Sequence, residues 1–76
     1  MKPGSGALKR RRNLGHAIRR RRSDINLSQE KLAEVVGCHR NYVGKVERGE
    51  QNLTVEMLWR FARALGCDAA ELLGER

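Results

Sequence analysis

The sequence predicts an all-α domain, and three observations carry that expectation. The chain holds one proline and only three aromatic residues. No stretch alternates apolar and polar residues as a half-buried strand does. Apolar residues recur instead at helical spacing, in blocks bounded by glycines and by side chains able to cap a helix. Seventy-six residues allow one domain with a small core. The expected architecture is a compact five-helix fold spanning residues 14–76, preceded by a flexible basic arm at residues 1–13.

The arm, MKPGSGALKRRRN, carries glycines, a proline and a basic cluster but few apolar anchors. It either lies along phosphates or in a minor groove, or is an unconstrained tail. Helix one is expected from about Leu14 to Ile25. Leu14, Ala17, Ile18 and Ile25 form a narrow apolar stripe, and the stem of Arg21 lies beside it. Asn26 closes the helix in the left-handed conformation. Ser28 caps helix two, whose apolar residues are Leu32, Ala33, Val35 and Val36, and Gly37 stops it. Helix three runs from Arg40 to Arg48. Thr54 caps helix four, VEMLWRFARAL, with Val55, Leu58, Phe61, Ala62 and Leu65 on one side and Gly66 at its end. Asp68 and Glu71 have capping-box spacing before Leu72 and Leu73 in a short fifth helix.

Charge is distributed unevenly. Residues 1–23 hold nine Lys/Arg and no acid, whereas residues 24–76 hold seven Lys/Arg against nine Asp/Glu. The net charge of +7 therefore sits on the N-terminal segment, which points to a polyanionic partner. No apolar run approaches the roughly 20 residues needed to cross a bilayer. The basic N-terminus lacks the apolar stretch of a secretion signal, so a cytoplasmic location is expected. Cys38 and Cys67 do not make a disulfide framework, and no ligand pair at zinc-site spacing accompanies Cys38-His39. Without a nucleophile–base pair, a phosphate loop or a metal constellation, an enzyme has no support. No cofactor or metal is expected.

Residues 27–49, LSQEKLAEVVGCHRNYVGKVERG, organise the chain. Two short helices are joined by a tight turn. Val43 and Val46 of the second point inward, and Arg40, Asn41, Gly44, Lys45 and Arg48 fall on the opposite face. A cationic outer face on a helix packed across a shorter one is the arrangement of a helix-turn-helix that reads DNA.

The ordered pattern LGHAIRRRR…LSQEKLA…VG…YVGKVERGE…LTVEMLWRFARALG…AAELL resembles the Cro/repressor-type helix-turn-helix (Xre) family over residues 14–73, about four fifths of the chain. The resemblance implies a phage-repressor-like five-helix domain acting as a homodimer on a palindromic operator. The chain looks most like restriction–modification controller proteins and other small stand-alone regulators, which implies an autoregulatory role. The implied partners are double-stranded DNA, a second copy of the chain and, as a candidate, RNA polymerase. An alternative is an antitoxin-type protein whose main partner is a toxin, with DNA binding secondary.

Family positions carry over residue by residue. Gln29, at a helix N-terminus suited to an anion, corresponds to the glutamine that meets a phosphate and steadies the recognition helix. The base-reading positions fall on Arg40, Asn41 and Lys45, whose side chains suit guanine, adenine and guanine edges respectively. Tyr42 and Arg48 are placed for phosphates, as are Asn52 and Thr54 from the next loop. His39 replaces the usual Ser/Thr cap and is a further phosphate candidate. Gly44 sits within the recognition helix, where glycine costs roughly 1 kcal/mol against alanine. Glu50 and Gln51 make the following loop less basic than in many relatives, so phosphate binding leans on Arg19 of helix one and on Arg10, Arg11 and Arg12 of the arm. Arg22 and Glu47 match the family's internal ion pair. Met57, Trp59, Leu72 and Leu73 are the expected dimer contacts, since so small a core cannot bury all of them.

Overall fold

Helix boundaries follow the capping chemistry. The structure, a computed structural model, describes residues 3–74; residues 1 and 2 of the expected arm lie outside the described residues. The helices are α1 (Pro3–Asp24), α2 (Gln29–Val36), α3 (Arg40–Glu47), α4 (Val55–Leu65) and α5 (Ala69–Gly74). Ser28 accepts from the Lys31 backbone N–H at 2.9 Å to open α2, and Thr54 accepts from that of Met57 at 3.1 Å to open α4. Each side chain satisfies an amide that the first helical turn leaves without a partner. Gly37 and Gly66 take the left-handed conformation that ends α2 and α4, and Asn26 does so after α1. Glu71 Oε1 accepts from the Asp68 N–H at 3.3 Å, which is the acidic half of a capping box.

Ile18, Leu32, Val43, Val46, Phe61 and Leu72 fill the centre and are fully buried. α2 and α3 pack against each other, α1 lies along α3, and α4 and α5 close the far side. No helix among the described residues is long and apolar enough to cross a membrane.

Three expectations require correction. The segment read as a flexible arm is, from Pro3 onward, the first half of α1. Proline is tolerated in a first helical turn, and Ala, Leu, Lys and Arg at positions 7–12 are strong helix formers. Tertiary contacts then hold the segment: Arg11 Nε donates to the Gly49 carbonyl at 3.2 Å, and the Arg12 backbone lies against Gly49. Leu72, expected at a dimer contact, is a core residue at 1% exposure. Ile25, Val35 and Val55, read as members of apolar stripes, are instead 50%, 56% and 72% exposed. Ile25 follows the last turn of α1, Val55 is the first residue of α4, and Val35 lies to the side of the buried trio Leu32, Ala33 and Val36.

Two features fix α3 in the bundle. At Gly15 the helices approach so closely that an added Cβ would collide with the Val46 carbonyl oxygen and lie 2.6 Å from that of Glu47. The second feature is an ion pair. Arg22 Nε and Nη2 donate to the two Glu47 oxygens at 2.6 and 3.0 Å, and Arg22 Nη1 donates to the Leu27 carbonyl at 2.8 Å. Gln29 Nε2 donates to Glu47 Oε1 at 3.0 Å. The Glu47 side chain is only 3% exposed. Its hydrogen bonds hold the Arg22 guanidinium above its ordinary pKa.

Glu47→Ala removes one member of a buried pair and strands the other, at an expected cost of about 3–5 kcal/mol. Thermal unfolding should show it far less stable than Glu50→Ala; equal melting temperatures would dismiss the pair as a structural element. Gly15→Ala should cost about 1–3 kcal/mol, the usual penalty for overpacking. An unchanged melting temperature would show that α1 and α3 separate freely.

Candidate nucleic-acid interface

The ion pair and the Gly15 crossing leave one face of α3 outward. Val43, Val46 and Glu47 are buried, whereas Arg40, Asn41 and Lys45 are exposed. The three expected base readers thus share the outer surface of one helix. That helix starts on His39, whose Nδ1 accepts from the Asn41 N–H at 3.1 Å. His39 therefore serves as a cap in place of Ser or Thr.

An open cleft lies between the start of α2 and this face. Ser28, Gln29 and the acidic Glu30 line one side; Arg40, Asn41, Gly44, Lys45 and Arg48 line the other. Arg22 also reaches the cleft, but its guanidinium is engaged by Glu47. The α2 N-terminus adds partial positive charge to Arg40, Lys45 and Arg48. The cleft suits an anion bridging the two helices. One N–H of the Gln29 amide is used on Glu47, so this side chain couples the cleft to the buried pair.

Gly44 is buried although it faces outward. Arg48, the C-cap of α3, folds back over it. A Cβ at Gly44 would stand 3.1 Å from Arg48 Nη1 and 3.9 Å from Gln29 Nε2. The missing side chain makes room for the Arg48 guanidinium. Arg48 is held there by Glu50, through Nε to Oε2 at 3.0 Å and Nη2 to Oε1 at 3.2 Å. These bonds push the Glu50 carboxyl below its ordinary pKa and the Arg48 guanidinium above. In the sequence, Glu50 counts only as a dilution of basic charge. The spacing of two residues gives no signal for a direct pair, because the left-handed turn at Gly49 brings the two side chains together.

The remaining phosphate candidates divide by location. The Tyr42 ring is half-buried against Phe61, with centroids 6.4 Å apart, and burial raises its phenol pKa. Thr54 Oγ1 is engaged as the α4 cap. Arg11, expected on phosphate, is half-buried and tied to the Gly49 carbonyl, with its Nη1 donating to Asn52 Oδ1 at 3.4 Å. Arg10, Arg12 and Arg19 are exposed on α1, and none of them lines the α2–α3 cleft. Cys38 and Cys67 are half-buried thiols, and burial raises the pKa of Cys38.

Exposed apolar side chains occur on α4 and α5. Trp59 and Leu73 are 63% and 62% exposed, and Met57 is half-buried. Leu72 is turned into the core, and Val55, which the sequence places on the apolar side of helix four, is exposed.

Comparison with known proteins agrees with this geometry. The helix-turn-helix family model HTH_3 matches residues 18–72. The chain is 47% identical over 60 residues to the control protein C.SmaI of Serratia marcescens, covering 79% of this chain and 71% of that protein. Its fold superimposes with a TM-score of 0.79 on the restriction–modification controller protein C.AhdI of Aeromonas hydrophila. That match has 39% identity and covers 82% of this chain and 94% of the other. The DNA-binding domain of the P22 c2 repressor superimposes with a TM-score of 0.77 at 32% identity, covering 79% of each chain. With the match spanning both helices of the turn and most of the core, the chain belongs to the Cro/repressor-type (Xre) helix-turn-helix family.

Proposed function

We propose that this protein is a transcriptional regulator that binds a palindromic operator in double-stranded DNA as a homodimer, in the manner of a restriction–modification controller protein. The observation that carries this reading is the outward face of α3. Arg40, Asn41 and Lys45 stand exposed on a helix whose inner face is fixed by buried valines and by the Arg22–Glu47 pair. A helix held rigidly in this way enters the major groove at a fixed angle, and its first residues reach base edges. Arg40 reads guanine through O6 and N7, Asn41 reads adenine, and Lys45 donates one turn later. The cleft beside them takes a backbone phosphate, which sets position without specifying sequence.

One recognition helix reads only a few base pairs, so two copies place half-sites about one helical turn apart. Trp59, Met57, Val55 and Leu73 supply the self-contact. They put large apolar side chains at the surface of a small domain, and tryptophan is enriched at protein interfaces. Similarity to control proteins supports the biological role, in which the operator lies before the regulator's own gene.

Selection of bound DNA from a random pool should return a palindrome with guanine and adenine contacts in each half. Arg40→Ala should then weaken binding by about 1–3 kcal/mol and relax one position of each half-site. Equal loss on every sequence would make Arg40 a phosphate contact. Sedimentation at micromolar concentration should show a dimer, and Trp59→Glu should shift it to monomer while keeping the helical signal. A wild-type chain that sediments only as monomer would remove the interface.

A further inference from the structure

Arg48 is an exposed cation of the α2–α3 cleft, and what holds it in place is an acid on the same surface. Gly44 provides its seat, and Glu50 spans its guanidinium with both carboxylate oxygens at 3.0 and 3.2 Å. Two oxygens on a rigid fork are also what a DNA phosphate presents to arginine. We propose that Glu50 is an internal stand-in for the DNA phosphate, occupying Arg48 in the unbound protein so as to attenuate sequence-independent attraction to nucleic acid.

The proposal rests on the DNA-binding reading and goes beyond it by assigning a role to an acidic residue. The Arg48 and Glu50 side chains are 58% and 54% exposed, so the pair is accessible to a competing anion. Exposed pairs of this kind are weak, and a phosphate presented from the duplex can replace the carboxylate. Exchange has an ionic consequence. Arg48 on a phosphate releases a counterion condensed on the DNA, whereas Arg48 held by Glu50 releases none. Competition from the carboxylate therefore reduces what Arg48 contributes to the salt dependence of binding. Without the carboxylate, the same arginine counts as a full phosphate contact. This also accounts for a strongly basic chain placing an acid immediately after its recognition helix. Exposed cations of α1, among them Lys9, Arg10, Arg12 and Arg19, attract any polyanion, and Glu50 limits how much the reading surface adds to that pull.

The test is a two-by-two set of full-length proteins: wild type, Glu50→Gln, Arg48→Gln and the double variant. Affinity for a duplex of random sequence is measured against monovalent salt, with helicity confirmed by circular dichroism. Glu50→Gln should bind on the order of fivefold tighter near 0.15 M salt, with a slope of log affinity against log salt steeper by up to about 0.9, the increment of one added phosphate contact. In the Arg48→Gln background the same change should leave the slope nearly unaltered. An unchanged slope in Glu50→Gln overturns the proposal. Equal steepening in both backgrounds does so too, since it would reduce Glu50 to a general source of repulsion. A wild-type protein with no salt-dependent duplex binding would overturn the DNA-binding reading itself, and the proposal with it.

Discussion

The buried charge on Glu47 constrains the rest of the molecule. A carboxylate at 3% exposure is tolerated only with its hydrogen-bonding capacity filled, and three N–H groups fill it. Two come from Arg22 on α1 and one from Gln29 on α2, so a single side chain of α3 is tied to both neighbouring helices. Arg22 extends the same network to the Leu27 carbonyl in the connection between α1 and α2. Apolar contact alone would let a three-helix packing slide, because dispersion and burial are not directional. The hydrogen-bond geometry sets both the rotation and the height of α3.

On the proposed reading, the rotation of α3 matters because the helix is short. Eight residues give little more than two turns, with Arg40 and Asn41 on the first and Lys45 on the second. With Val43, Val46 and Glu47 turned inward, the outward positions are determined without any contribution from DNA. Gln29 stands at the junction, bonded to the buried carboxylate and lining the cleft. An anion in the cleft therefore meets a group already braced against the core. His39 and Gly44 supply what the helix lacks in length, the first by satisfying an orphan amide and the second by making room for an arginine.

The sequence carried most of this fold because its signals were local. Ser28, Gly37, Thr54, Gly66 and Asn26 act through hydrogen bonds and dihedral preferences within a few residues, which a single chain displays directly. The pair Arg22–Glu47 was legible only through family resemblance, since no periodicity relates positions 25 residues apart. What failed depended on packing between distant segments. Residues 7–12 read as an arm because their anchors, the Gly49 carbonyl and Asn52, lie beyond the recognition helix. Leu72 and Leu73 are neighbours of one residue type, and only the angle at which α5 meets the core sends one inside at 1% exposure and leaves the other 62% exposed. Glu50 was visible as a charge but not as a partner, because the bend that brings it to Arg48 requires the left-handed Gly49 between them.

Continuity of α1 changes what kind of object the N-terminal basic block is. A tethered arm would act as a cloud of charge, its reach set by the square root of its length and its orientation averaged away. A helix of 22 residues is a rod about 33 Å long, with the side chains from Ala7 onward at fixed azimuths. Arg12 and Arg19 are then held in register with the reading face through Gly15 and Gly49, as teeth are held on a shaft. One residue inserted between Arg12 and Gly15 would turn everything before it by about 100° while leaving composition and charge almost untouched. In this protein the spacing of the N-terminal segment is therefore information of the same standing as its charge.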